Sequence, residues 1–168
     1  MQRRSLLKIG VASAALLVVA GGGLALLQPG LVRGRLTPAA RAVFHAVARL
    51  VLDGSLPAVG AERDAALQAH LGRLDAVLAN FPDATRAELS QLLALLVAGP
   101  GRRLLAGLHA DWADATTTEL AQAMHQMRTS SLALRQQTYH ALRDLTNAAF
   151  YADSATWSLL GYPGPVAL

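Results

Sequence analysis

The sequence predicts an all-α protein: a small irregular helical bundle of five or six helices that follows an N-terminal hydrophobic signal or anchor helix. Three observations predict it. Apolar residues recur at steps of three and four through most of the chain after residue 37. Helix-start signals precede several of these runs. No alternating apolar–polar run bounded by turn residues occurs, so no strand is predicted. The 168 residues fit one domain, and a composition of 53% apolar against 15% charged residues excludes a disordered chain. A body of this size buries roughly two thirds of its unfolded surface, enough for a core without disulfides.

The elements follow in order. Residues 1–27 hold Arg3, Arg4 and Lys8, then a charge-free apolar run over residues 9–27. That is a positive n-region before an apolar h-region. Arg3-Arg4-Ser5-Leu6-Leu7-Lys8 resembles the twin-arginine export signal: an arginine pair, any residue, a large apolar residue, Leu and Lys. Gln2 stands where Ser or Thr is usual. The general export route threads unfolded chains, whereas the twin-arginine route carries folded cargo. A run of 19 residues approaches the ~20 needed to span a bilayer. Val18-Val19-Ala20 and Gly23-Leu24-Ala25 are weak cleavage candidates, so cleaved export and an uncleaved anchor both stay open. Either outcome places the body outside the inner membrane, with the N-terminal cations held in the cytoplasm.

Residues 28–37, with Pro29, Gly30 and Gly34, read as a linker, and residues 38–152 as the helical domain. Thr37 is the expected N-cap of a first helix, with Pro38 at its first position. Val43, Phe44, Val47, Leu50 and Val51 form its inner face, and Arg41, His45 and Arg49 the opposite one. A second helix covers roughly residues 61–79, with a stripe through Leu67, Leu71, Leu74, Leu78 and Phe81. Thr85 and Glu88 form a capping-box pattern for a third helix to about Ala98, which its leucines mark as the most buried element. Gly99-Pro100-Gly101 reads as a sharp break before a short helix with Leu104, Leu105 and Leu108. Thr116 and Glu119 open another helix, with Leu120, Met124 and Met127 on one face. After a kink or restart near residues 129–131, the last helix runs to about Tyr151, with Leu134, Leu142, Leu145 and Ala149 inward.

Few residues carry chemistry. The absence of cysteine excludes disulfides, thiolate metal sites and cysteine nucleophiles. Past residue 8 the charge balance is 12 basic against 11 acidic residues, and no basic stripe forms, so nucleic acid is not an expected partner. His45, His70, His109, His125 and His140 show no i,i+4 pair and read as exposed or capping histidines rather than metal ligands. Haem held by two histidines obeys no spacing rule, so the sequence does not address it. No G-x-S-x-G elbow occurs, and the 99–101 segment lacks the third glycine and preceding strand of a phosphate loop. The pairs Glu62/Asp64 and Asp111/Asp114 fit helix starts, where acids oppose the macrodipole. No catalytic residue, metal site or cofactor site is therefore assigned to the chain.

Residues 153–168 are the segment singled out as a docking element. Phe150, Tyr151, Trp157 and Tyr162 place four of the eight aromatics in a stretch of 13 residues. Gly161, Tyr162, Pro163, Gly164 and Pro165 give an irregular backbone. Aromatic side chains of this kind are enriched at interface hot spots. The alternative is a tail folded over its own core.

Phe150-Tyr151-Ala152-Asp153, followed by Trp157, Leu160 and Gly161-Tyr162-Pro163-Gly164, resembles the end of the small subunit (subunit 3) of membrane-bound gluconate 2-dehydrogenase. Related small subunits accompany FAD-dependent glucose and fructose dehydrogenases and carry twin-arginine signals. Here the spacer between Asp153 and Trp157 is shorter, without the family's glycine-rich insertion. The match covers some 15–20 residues plus the signal. The resemblance implies a non-catalytic subunit whose partner is an FAD-dependent flavoprotein of the glucose–methanol–choline type. It further implies transit of both through the twin-arginine translocon, a periplasmic location at the inner membrane, and a cytochrome c subunit as a third component. Phe150, Tyr151, Trp157, Gly161, Tyr162, Pro163 and Gly164 are then the partner-binding residues. FAD is expected in the partner and no cofactor in this chain. The alternative function is a membrane-tethered periplasmic helical binding protein without a redox partner.

Overall fold

A computed structural model of the chain describes residues 28–164. Residues 1–27, with the export-signal positions Arg3, Arg4, Leu6, Leu7 and Lys8, lie outside the described residues, as do residues 165–168. The described residues form a short hairpin, six α-helices and a closing 3-10 helix, in keeping with the all-α expectation. Among them no helix is long and apolar enough to cross a membrane.

Residues 28–37 are more than a linker. β1 (Leu31–Val32) and β2 (Arg35–Leu36) pair antiparallel, with Leu31 opposite Leu36 and Val32 opposite Arg35. Arg33 (φ 51°) and Gly34 (φ 76°) form the two-residue turn, and both positive values suit the twist of a tight hairpin. Leu31 and Leu36 are buried on one face, while Val32, Arg33 and Arg35 are exposed. The hairpin is fastened from both sides. Ser90 accepts from Leu31 N through its hydroxyl and from Gly30 N through its carbonyl. Asp75 accepts from Leu36 N at 2.9 Å and pairs with Arg41 at 2.5 Å. The expectation of no strand fails here because a two-residue strand is too short to show alternation.

Helix α1 (Pro38–Val51) starts as the sequence predicts: the Thr37 hydroxyl accepts from Ala40 N, and Pro38 takes the first turn. Ala40, Val43, Phe44, Ala46, Val47 and Ala48 are all buried. α1 touches β2, α2 (Ala61–Ala79), α3 (Asp83–Val97), α5 (Thr117–Thr129) and α6 (Ala133–Tyr151). α6 meets elements on as many sides, so α1 and α6 together form the centre, which corrects the placement of the leucine-rich third helix there. In α3, Leu89, Leu93 and Leu96 are buried, but Leu92, Leu95 and Val97 are half-buried, because α3 has neighbours on fewer sides. Arg41, His45 and Arg49 are half-buried rather than a free outer face, and Arg49 donates to the Ala115 carbonyl at 3.1 Å.

α2 carries the expected stripe of Leu67, Leu71, Leu74 and Leu78, all buried. α3 begins two residues before the predicted Thr85 cap: Pro82 is its N-cap, and the Thr85–Glu88 capping box does not form. The fixed φ of Pro82 and its carbonyl, which accepts from Arg86 N, open the helix instead. Gly99-Pro100-Gly101 is the first turn of α4 (Gly99–Ala106) rather than a break between helices. A Cβ at Gly101 would run into the Leu95 carbonyl, so the glycine permits this close approach. In α5 the capping box is complete, with Thr116 Oγ1 accepting from Glu119 N and Glu119 accepting from Thr116 N. Leu120, Met124 and Met127 are buried, as predicted. The chain breaks at Ser130 and restarts as α6, whose Leu142 and Ala149 are buried and whose Leu134 and Leu145 are half-buried.

Candidate docking surface

The C-terminal segment is built on the last turn of α6. Phe150 is 4% exposed and belongs to a second apolar cluster with Ala48, Leu52 and Leu67. It is a core residue, so its assignment as a surface anchor is corrected: the helix period turns position 150 inward beside Ala149. Tyr151 is half-buried and meets the Phe150 ring edge-on, with centroids 5.2 Å apart.

Asp153 then organises the turn out of the helix. One carboxylate oxygen accepts from Ala155 N at 3.0 Å and caps a 3-10 helix over Ser154–Leu160. The other lies 3.1 Å from the guanidinium of Arg73 on α2. Arg73 also donates through Nε to the Ala149 carbonyl at 3.2 Å. The Thr156 hydroxyl is 2.7 Å from the Asp153 carbonyl and 3.1 Å from the Phe150 carbonyl. A seven-residue 3-10 helix exceeds the usual three or four residues, and these side-chain bonds supply the support it lacks internally.

Trp157 closes the arrangement. Its indole N–H donates to the Tyr151 carbonyl at 2.8 Å, and its ring lies 5.5 Å from that of Tyr162. Gly161, at φ 66°, turns the chain back in a conformation that a side chain would strain. Tyr162 N then donates to the Trp157 carbonyl at 3.1 Å. Gly164 is buried close to the Trp157 ring. Trp157 is half-buried as the platform, while Leu159 (59% exposed), Tyr162 (49%) and Pro163 face solvent. The segment thus offers a small aromatic and aliphatic surface on a scaffold pinned to α2 and α6.

The titratable groups fall elsewhere. Among the described residues no group of three or more His, Asp or Glu could hold a metal ion. His109, His125 and His140 are exposed, and His45 is half-buried, its pKa lowered by burial and then by Arg49, with Asp64 opposing. His70 departs from the expected exposed or capping role. It is fully buried on α2 and neither ring nitrogen has a partner. Burial, aided by Arg73 one turn on, pushes its pKa down to about 4, so it is neutral. Glu62 and Asp64 occupy the first turn of α2 as expected for a helix start. Asp111 pairs with the buried Arg102 at 2.5 Å, which makes it structural. The backbone and then the side-chain hydrogen bond from Thr116 lower the Glu119 pKa.

Sequence reasoning missed two anchoring residues. Arg73 lies beside the unbroken apolar stripe of α2, and nothing in its spacing announces the contact with the Ala149 carbonyl at the end of α6. Trp112 lies in the loop before α5, 3% exposed, with its indole N–H on the Leu96 carbonyl at 2.8 Å. No periodic segment surrounds it, so its burial was not readable. No protein-family model, no curated protein and no solved structure matches this chain.

Proposed function

We propose that this chain is a non-catalytic small subunit that binds a folded FAD-dependent dehydrogenase of the glucose–methanol–choline type. It carries that partner through the twin-arginine pathway and stays bound to it in the periplasm, at the inner membrane. The observation that carries the reading is the pairing of Arg3-Arg4 with an aromatic C-terminal surface, on which Leu159, Tyr162 and Pro163 stand exposed. Exposed aromatic and aliphatic residues beside a half-buried tryptophan have the composition of a protein-binding hot spot. The surface is small, so the partner has to cover neighbouring helix surface as well.

The test is co-purification of the tagged full chain from periplasmic and membrane fractions, followed by mass spectrometry and a flavin absorption spectrum. A stoichiometric flavoprotein with bound flavin supports the proposal. A chain that emerges alone, folded and stable, overturns it.

The second reading is a membrane-tethered binding protein without a redox partner, its tail packed on its own bundle. The internal bond from Trp157 to the Tyr151 carbonyl favours it. A flavin-free eluate with an intact C-terminal fold would select this reading.

A further inference from the structure

We infer that the hairpin over residues 31–36 is a contact surface for an anionic phospholipid leaflet, with Arg33 and Arg35 facing headgroup phosphates. The inference rests on the reading of residues 9–27 as a membrane-embedded segment, and adds which face of the body meets the bilayer.

Residues directly opposite across the two strands share a face, so the buried pair Leu31/Leu36 commits one face to the core. Val32 and Arg35 are therefore left together on the outer face, with Arg33 beside them at the tip. Val32 is 53% exposed. Arg33 and Arg35 have no ion pair or side-chain hydrogen bond among the described residues. An apolar side chain flanked by two free guanidinium groups suits the boundary between headgroups and acyl chains. Guanidinium forks also match phosphate oxygens bidentately.

The acids of the underlying helices do not cancel this charge. Asp75 is engaged by Leu36 N and Arg41, and Asp83 is paired with Arg86. Glu88 precedes Ser90, the hairpin's anchor on α3, by two residues, which places it around the helix from that contact. No acidic residue occurs in the sequence before Asp53.

Position in the chain supplies the partner. Arg33 follows the end of the apolar run at Leu27 by six residues and is the first charged residue after Lys8. At about 3.5 Å per residue the hairpin tip stays within roughly 20 Å of that end. The hairpin is also fixed to α2 and α3 through Asp75 and Ser90, so lipid contact there would orient the whole bundle.

The chain has no cysteine, so a single thiol can report on the hairpin. Val32→Cys carrying a polarity-sensitive fluorophore is reconstituted, as the full chain, into phosphatidylcholine vesicles with and without phosphatidylglycerol. A blue shift in the anionic vesicles alone, reversed by high salt, is the expected result. Adding Arg33→Ser and Arg35→Ser removes it, weakening the contact roughly 25-fold if each cation contributes about fivefold. The same label at Val59→Cys, 91% exposed beyond the far end of α2, stays unshifted. A chain that floats with both vesicle types but shows equal label spectra in them overturns the hairpin inference alone. A chain that floats with neither overturns the membrane reading and the inference with it.

Discussion

Arg73 on α2 holds Asp153 at 3.1 Å and, through its Nε, the Ala149 carbonyl at 3.2 Å. One side chain thereby joins the second helix, the end of the last helix and the cap of the 3-10 turn. This junction and the Trp157 indole bond fasten the 3-10 helix of the tail to the bundle.

Arg73→Met is expected to loosen the tail while leaving the bundle folded. It keeps a long apolar stem but deletes the ion pair with Asp153 and the hydrogen bond to the Ala149 carbonyl. The pair is partly exposed, at 28% and 34% for the two side chains, so solvent screens it and the loss of stability is about 1 kcal/mol. Hydrogen exchange checks this: amides of residues 153–162 should lose protection well before those of α1. Unchanged protection across that segment would show that the tail does not depend on the junction.

Tyr162 and Trp157 separate binding from folding. Tyr162 is half exposed and bonds only its backbone to Trp157, so Tyr162→Ala should leave chain stability within about 0.5 kcal/mol. Under the proposed function it should weaken partner binding by about 2 kcal/mol, a hot-spot loss. Trp157→Ala should do both kinds of damage, because it also frees the Tyr151 carbonyl and uncovers Gly164. Titration calorimetry with the purified partner, beside urea unfolding of each variant, reads the two effects apart. Equal affinity of the wild type and Tyr162→Ala would remove the ring from the interface.

His70 sets a pH dependence of stability whose sign can be worked out. Its folded pKa is pushed down to about 4 from 6.5, mainly by burial. Below pH 6.5 the unfolded chain takes up a proton that the native state refuses, so stability falls as the pH drops. The loss runs from about pH 6.5 to about pH 4 and levels off below, at roughly 3 kcal/mol in all. His70→Leu removes both orphaned ring nitrogens and the titration, and should flatten the curve in that window. Urea midpoints of the two chains across this range provide the measurement. Parallel curves would mean that His70 finds a partner for its proton in the folded state.

Much of the bundle was legible because helix signals are local. Thr37-Pro38 and Thr116 with Glu119 carry their own hydrogen-bonding logic within one turn, and both caps form as read. The stripe of α2 was equally plain, and it includes His70: the position lies three residues after Leu67 and four before Leu74. The residue's polarity hid a burial that its period announced. The hairpin was hidden for a different reason. Its turn uses Arg33 at positive φ where Asn or Gly is the usual signal, and its stability comes from Asp75 and Ser90, distant in sequence. The centrality of α1 was also non-local. Its alanines look weak as core formers, yet Ala40, Ala46 and Ala48 let neighbouring helices approach from several sides. The docking segment was legible as composition; the inward turn of Phe150 follows the period of α6, whereas the outward turn of Tyr162 depends on how the tail folds back through Gly161.

The arginine pair offers the sharpest test of the carrier role. Arg3→Lys with Arg4→Lys conserves charge and hydrophobicity, so membrane attraction of the n-region is retained. A pathway that reads the guanidinium pair itself should nonetheless reject the variant. If the partner has no signal of its own, both subunits should accumulate in the cytoplasm together, still bound and with flavin loaded. Fractionation with immunoblotting of both chains, plus dehydrogenase activity in each fraction, measures the outcome. Loss of this subunit alone from the periplasm, with the partner exported as before, would leave a binding protein and remove the carrier. Retention of both in the cytoplasm as a complex would place assembly before translocation, the order that a folded-cargo route requires.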